Sequence, residues 1–476
     1  MVIILIIIAA LALIIQAFIG LTYFISCIWE KEKGATILAG LQFSGMLGLV
    51  SIFFFLVWVD FFETRVGLTL LICGLVFGAL ASFLLIRRSG ANPKAMEGTR
   101  GLIIGEVKRP DERETVFARN MLLQPGSEMY EMFYKEHPEI EECDAKRREK
   151  GGVFGPMGAI DKPHEGPNVA TAMASLFFSL GLAAPDKIKP FSLTGSRIDL
   201  NPEEATERIK GYAQSLGADL VGITEVNPLW FYSHRGMTLE DWGKEIEVEH
   251  KYAIVFAVEM SREMIGAGPH TPSMVESMHK YADVATISAQ VASFIANLGY
   301  SATANQVHYY EAILVPMAVD AGLGELGRIG YLLTKEFGPR VRLGAVTTDL
   351  PLLPDKPVDI GVQDFCKICK KCAVGCPPTS IALGDPTEVN GSLRWKLNEV
   401  TCFDYWGRVG TACSDCMRVC PWSHARTVPH KVILGLVTRN KIARRLFSAM
   451  DDIFYGKKPK PKAPPGWARF NPGKTD

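Results

Sequence analysis

Cys366, Cys369, Cys372 and Cys376, followed by Pro377, have the spacing C-x₂-C-x₂-C-x₃-C-P. Thiolates at that spacing are the iron–sulfur ligand run of bacterial ferredoxins. A second run follows: Cys402, then Cys413, Cys416 and Cys420 before Pro421, or C-x₁₀-C-x₂-C-x₃-C-P. Eight of the eleven cysteines lie between Cys366 and Cys420, and such crowding points to metal rather than disulfides. Zinc would need two separate tetrahedral sites, and zinc ribbons do not use x₂–x₂–x₃ followed by proline. In two-cluster ferredoxins the fourth cysteine of each run ligates the other cluster. That rule assigns Cys366, Cys369, Cys372 and Cys420 to one [4Fe–4S] cluster, and Cys376, Cys402, Cys413 and Cys416 to the other. The x₁₀ gap departs from the ordinary ferredoxin run. The chemistry is one-electron transfer.

The next chemical feature is the segment AGLGELGRIG, Ala321–Gly330. Gly322, Gly324, Gly327 and Gly330 carry no Cβ and so allow the backbone to approach a flat or phosphorylated ligand. The letters Gly322-x-Gly324-x-x-Gly327 match a dinucleotide fingerprint, but that fingerprint follows a strand and opens a helix. Here it follows an apparent helix, so the dinucleotide reading fails on context.

YAIVFAVEM (Tyr252–Met260) has the continuous apolar, β-branched character of a buried strand, and RLGAVTTDLPL (Arg342–Leu352) leads from a strand to the cysteines. Long helices are expected over the segment from Pro202 and over about Ser273–Leu298. NVATAMASLFFSLGL (Asn168–Leu182) is apolar with helical periodicity and small residues suited to packing. Strands alternating with long helices predict an α/β or α+β core. The tail KKPKPKAPPGWARF (Lys457–Phe470) is rich in Pro and Lys and reads as extended and disordered. Lysine plus arginine equals aspartate plus glutamate, 51 each, so the charge balance points to no nucleic-acid partner.

The first 90 residues are a different material. Met1–Trp29, Ala35–Val59 and Val66–Ile86 are runs of 29, 25 and 21 residues without a charge. Each reaches the roughly 20 residues that a bilayer-spanning helix needs. The N-terminus has neither the positive n-region nor the short h-region of a signal peptide, so three retained transmembrane helices are expected. Lys31 and Lys33, with Arg87, Arg88, Lys94 and Arg100, fall on one face, against Arg65 on the other. The positive-inside rule then places the residues after 90 in the cytoplasm, on a multi-pass cell-membrane protein. Arg87-Arg88 follows its apolar run, as a stop-transfer anchor does.

The stretch from ILVPMAVDAGLGELGRIGYLL through TDLPL to DFCKICKKCAVGCPP closely resembles the corrinoid-dependent reductive dehalogenases. ETVFARNMLLQPGSEMYEMFYKEHPE and GADLVGITEVNPLWFYSHRG resemble the same family, so the likeness covers about residues 105–425. It implies a nitroreductase-like α/β core binding a base-off corrinoid, a C-terminal ferredoxin-like module with two [4Fe–4S] clusters, and an organohalide substrate. Domain boundaries follow as a membrane anchor (1–90), a corrinoid-binding catalytic domain (91–360), a two-cluster domain (361–425) and a C-terminal helix with a basic tail (426–476). Two electrons and a proton would carry out R–X + 2e⁻ + H⁺ → R–H + X⁻. The low potential that cobalt reduction needs is within reach of cysteine-ligated cubanes.

In the family the proton comes from a tyrosine before the glycine loop, assisted by a basic or amide side chain. Tyr310 is the first candidate here, with Tyr309 and His308 as rivals in NQVHYYEAI. Arg328 and Arg340 are candidate cations, beside Lys335 and Arg342. Gly322, Gly324, Gly327, Gly330 and His308 would face the corrinoid. Trp230, Phe231, Tyr232 and Trp406 are candidate pocket walls, though such residues are more often ordinary core. The related epoxyqueuosine reductases share the cofactors, but Glu325 and Arg328 match the dehalogenase form. A non-catalytic iron–sulfur electron-transfer subunit is the non-enzyme alternative. The three apolar helices depart from the usual family pattern of a twin-arginine leader and a separate anchor. The expected partner is a membrane or cytoplasmic electron donor, a quinol or a redox subunit, and the three helices make the membrane donor plausible.

Overall fold

The structure is a computed structural model that describes residues 2–149, 166–183 and 197–469. The chain divides into two compact units: residues 1–90 with 424–459, and residues 91–423 with 460–476.

In the first unit, three helices, α1 (Val2–Trp29), α2 (Lys33–Trp58) and α3 (Arg65–Ile86), are long and apolar enough to cross a membrane. Their surfaces are apolar as well: Ile3, Leu11, Phe18, Leu41, Phe55 and Phe77 are all exposed. That pattern suits lipid contact, where the solvent itself is hydrocarbon. Two later helices, Val428–Val437 and Lys441–Tyr455, belong to the same unit. Asn440 joins them to α3, because its side-chain amide donates to the carbonyls of Leu84 (2.7 Å) and Arg87 (2.6 Å). These are carbonyls that the end of a helix cannot satisfy internally. The Asn440 Oδ1 meanwhile accepts from Ala443 N and caps its own helix.

The second unit is built on a four-stranded sheet of order β1-β2-β6-β3, with β1 Leu220–Glu225, β2 Tyr252–Glu259, β3 Ala302–Asn305 and β6 Val341–Thr348. Between β3 and β6 lies a small hairpin, β4 (Glu325–Leu326) with β5 (Leu332–Leu333). Every pairing in the four-stranded sheet is antiparallel, which selects the α+β form of the expected core. The predicted buried strand is β2, whose Ala253–Val258 are all buried. One face of the sheet, with Ile223, Ile254, Phe256 and Val346, packs on Val284, Ile287, Val291 and Ile295 of the helix Thr271–Asn297. The other face, with Ala253, Val255 and Ala345, packs on Met317, Ala318 and Val319 of the helix Leu314–Asp320. A strand buried on both sides needs an apolar run rather than an alternating one, and that is what β2 has.

One expectation is corrected in the tail. Lys462 N donates to the Gly266 carbonyl, and the Ala468 carbonyl accepts from Asn168 Nδ2 at 3.1 Å. Ala468 is fully buried beside Met264, Met274 and Ala412. An apolar Gly-Trp-Ala turn gives the Pro- and Lys-rich segment a place to dock, so it is not a free solvated tail.

Candidate active site

The second unit encloses a cavity of about 590 Å³. The two cysteine sets stand differently to it. Cys376, Cys402, Cys413 and Cys416 line the cavity, whereas Cys366, Cys369, Cys372 and Cys420 do not. Burial holds the Cys420 thiol well above its ordinary range, and the neighbouring Cys366, Cys369 and Cys372 add to the effect. Burial does the same to Cys416, beside Cys413, Cys372, Cys402 and Cys376. Closely grouped, desolvated thiols ionise only against a strong positive centre, which is what iron supplies. In a tetrahedral zinc site with Zn–S near 2.3 Å the sulfurs lie about 3.8 Å apart. Among the described residues no cysteine trio comes within 4.8 Å.

The helix Val362–Cys369 presents the first cysteines, and the glycine segment holds that helix in place. Glu325, buried in β4, accepts from the backbone N–H groups of Ile360 (2.7 Å) and Val362 (3.1 Å) at the helix N-terminus. A carboxylate there complements the helix dipole. Arg328 is 1 % exposed. It donates to the Cys366 carbonyl from Nε (3.1 Å) and Nη2 (3.0 Å), and from Nη1 to the carbonyls of Ala382 (2.6 Å) and Gly384 (2.8 Å). Its guanidinium also stacks on Trp395, 4.8 Å from the ring centre. Arg328 is thus a clamp on the cysteine loop rather than the cation of a proton donor. Arg328→Ala would strand carbonyls that each cost about 1–3 kcal/mol when unsatisfied. The expected result is a lower urea midpoint with loss of bound iron, read by unfolding and iron assay.

The glycines are also reassigned. A Cβ on Gly322, at φ +74°, would meet the Lys356 carbonyl oxygen at 2.4 Å. One on Gly324 would meet the Leu333 carbonyl oxygen at 2.2 Å, and one on Gly327 the Leu333 side chain at 2.3 Å. The close approach that these glycines permit is therefore to the chain itself. Gly330 has φ +75°, and a Cβ there would make only ordinary contact with Leu397. None of the four lines the cavity.

His308, Tyr310, Tyr232, Tyr281, Arg342 and Trp406 also line the cavity. Asn305 places the first two: its buried side-chain oxygen accepts from Glu311 N (2.8 Å) and Ala312 N (3.1 Å). The Gln306–Tyr309 turn puts His308 at φ +63°. Tyr309 lies outside the lining, while Tyr310 is in it. Burial raises the Tyr310 phenol far above its ordinary value, only partly opposed by Arg342. Arg340 is spent elsewhere, donating to Glu259 Oε1 (2.9 Å) and the Met260 carbonyl (2.5 Å). The cation that reaches the cavity is Arg342 at the start of β6. It donates to Ser277 Oγ, and its guanidinium lies 4.0 Å from the centre of the Tyr281 ring. Ser277 and Tyr281 sit one turn apart on the helix Thr271–Asn297, which sets both on one face. Tyr281 was not singled out from the sequence. Of the aromatic candidates, Tyr232 and Trp406 line the cavity, Phe231 is core, and Trp230 donates to Thr99 Oγ1 at 3.0 Å.

Glu112 also lines the cavity and also escaped the sequence reading. Burial pushes its carboxyl up to about 7, against the pull of the Gly236 N–H at 2.7 Å. An unfolded chain releases this proton near the ordinary value of 4.5. Between those values the folded protein holds a proton that the unfolded chain has lost, so stability falls as pH rises through that window. The expected span is roughly 3 kcal/mol, and Glu112→Gln should flatten it, as followed by chemical denaturation from pH 5 to about 8.

No family model matches the chain. Tetrachloroethene reductive dehalogenase of Desulfitobacterium hafniense is 34% identical over 279 residues, 48% of this chain and 50% of that protein. The enzyme of the same name from Sulfurospirillum multivorans is 31% identical over 293 residues, 54% of this chain and 58% of that protein. A solved reductive dehalogenase structure, described as suggesting a mechanism for B12-dependent dehalogenation, superposes with TM-score 0.60. It is 28% identical and covers 78% of this chain and 49% of its own. By these likenesses the chain is similar to the reductive dehalogenases. As a reductive dehalogenase homologue it spans about half the length of the curated relatives it matches. The catabolic reductive dehalogenase NpRdhA, solved with 3-bromo-4-hydroxybenzoic acid, is similar at TM-score 0.59 and 30% identity, over 75% of this chain and 48% of its own. Epoxyqueuosine reductase of Cyclobacterium marinum matches only 120 residues, 24% of this chain, at 35% identity.

Proposed function

We propose that the protein is a membrane-anchored reductive dehalogenase that uses two [4Fe–4S] clusters and a base-off corrinoid to carry out R–X + 2e⁻ + H⁺ → R–H + X⁻ on an organohalide. The observation that carries this reading is the cavity itself, whose lining brings together the cysteines Cys376, Cys402, Cys413 and Cys416 and the Tyr281–Arg342 pair. The ligand sets are Cys366, Cys369, Cys372 with Cys420, and Cys376 with Cys402, Cys413 and Cys416. The nearness of Cys372 to Cys416 supports a relay between them. The module is ferredoxin-like and the core nitroreductase-like.

A corrinoid fits the cavity's donor set. Amide-fringed macrocycles need polar partners in an otherwise apolar wall, and Asn120 Oδ1 and Arg342 Nε are lining atoms without a hydrogen-bond partner among the described residues. Asn120, His308 and Tyr310 would hold the ring. When bound, the corrinoid supplies the low-potential cobalt that takes electrons and reacts with the carbon–halogen bond. The chain does the rest. Apolar and aromatic walls admit an organohalide and keep bulk water out. Tyr281 holds the proton at its phenol oxygen and gives it to the carbon that loses halide. Arg342, fixed by Ser277, stabilises the phenolate that remains, a role in which a neighbouring cation is effective. Tyr310 also lines the cavity, where burial raises its phenol far above the ordinary value.

α1, α2 and α3 anchor the enzyme as a multi-pass protein with the catalytic unit on the cytoplasmic face. Electrons then come from a quinol or a membrane redox subunit. The test is reconstitution with cobalamin under anoxia, a reduced viologen as donor, and halide release from a panel of organohalides. Halide release is the expected result. Corrinoid binding without halide release would move the reading to an epoxyqueuosine-reductase-like enzyme. Absence of bound corrinoid would leave an electron carrier.

A further inference from the structure

The dehalogenation chemistry makes no use of a polar cluster buried in the first unit. Glu30, one residue beyond α1, is only 5 % exposed, and it meets His424 and His430 from the C-terminal part of that unit. One carboxylate oxygen and one imidazole nitrogen from each histidine all lie within 4.8 Å of one another. The Glu30 Oε1 is 3.3 Å from His430 Nδ1. That is longer than a charge-assisted hydrogen bond. It equals the separation of about 3.3 Å between two N or O ligands around a tetrahedral zinc.

The surroundings fix these groups, and a bound metal would displace the Thr427 Oγ1 that lies 2.8 Å from His430 Nδ1. Asp451 Oδ1 sits 2.5 Å from His424 Nε2, a carboxylate–imidazole pairing that fixes the tautomer and raises the basicity of a ligating ring. The Tyr455 hydroxyl is 3.1 Å from His430 Nε2. Ser26 Oγ donates to Glu30 Oε1 at 3.0 Å. Two imidazoles and a carboxylate, three ligands with a position to spare, suit a divalent transition metal of the borderline class. We infer that Glu30, His424 and His430 form a divalent transition-metal site, separate from the iron–sulfur cysteines, that fastens the end of α1 to the helices Val428–Val437 and Lys441–Tyr455.

Zinc is the probe, because it is redox-silent and distinguishable from cluster iron. The full chain, in detergent with its clusters loaded, is stripped with a mild chelator and dialysed against buffered Zn²⁺. The expected result is about one zinc per chain and a raised thermal midpoint, since a ligand that binds only the folded form stabilises it. His424→Gln and His430→Gln should each abolish the zinc while leaving iron content unchanged. Asp451→Asn should weaken zinc binding by roughly ten- to a hundredfold. Wild-type protein that takes up no zinc and gains no thermal stability would overturn the site. So would variants with full iron that keep the zinc, since the cluster would then be a hydrogen-bond network only. These wild-type measurements decide the matter even if a histidine variant does not fold.

Discussion

Tyr281→Phe is expected to lower dehalogenation turnover by about 10²- to 10⁴-fold, the range that a positioned proton donor contributes, with iron and corrinoid content unchanged. The substitution removes one hydroxyl and keeps the ring that Arg342 stacks on, so the wall of the cavity stays filled. The loss should appear in kcat rather than in KM, because the phenol acts on the transition state and not on ground-state binding. Reduction of the clusters by dithionite, followed by absorbance, should match wild type, which separates proton delivery from electron delivery. Arg342→Gln should show a partial version of the same defect. Undiminished turnover in Tyr281→Phe would pass the role to Tyr310, whose own Phe variant is then the next experiment.

The second large effect is expected from Cys376→Ala, which should abolish measurable turnover while removing about half of the bound iron, one of two cubanes. In sequence Cys376 follows Cys366, Cys369 and Cys372, and a local reading would group the four. In the fold it lines the cavity with Cys402, Cys413 and Cys416, while Cys420 neighbours the three that begin the first run. Cys420→Ala should therefore also remove about half of the iron, but from the other centre. Electron paramagnetic resonance of the two singly depleted proteins should give different residual spectra. With a small viologen able to reach the remaining centre, Cys420→Ala should retain turnover that Cys376→Ala lacks. Identical residual spectra would return Cys376 to the first set.

Much of this was legible in the sequence where chemistry depends on spacing along one segment. The cysteine runs, the apolar lengths of α1, α2 and α3, and the uninterrupted apolar strand β2 all express local rules. The exchange of fourth ligands is an expectation carried by the runs themselves; what the fold adds is that Cys376 lines the cavity with Cys402, Cys413 and Cys416 while Cys420 neighbours the other three. The glycine segment was misread for a definite reason. Lack of a Cβ says that something comes close, but not what, and here the partners are Lys356 and Leu333 of the same chain. Arg328 and Arg342 look alike as letters. Only the fold shows that the first spends its donors on carbonyls of the cysteine loop and that β6 carries the second to Tyr281. Glu112 carries no motif at all. Its displaced proton affinity arises from burial, which is a property of everything packed around it.

The amide of Asn440 sets an order of events during synthesis. The carbonyls that it satisfies at the end of α3 precede it by 353 and 356 residues. At about 5–20 residues per second, the ribosome needs roughly 20 to 70 s to make that stretch. For that time α3 has an unfinished end, while the whole sheet and every cysteine of both runs emerge. The N-terminal helical unit is thus begun first and completed only after residues 91–423 of the second unit have been made, and the second unit is completed in turn by residues 460–476. A chain interrupted between residues 420 and 440 would carry all eight cysteines of the two runs on an N-terminal helical unit whose third helix still lacked its Asn440 partner.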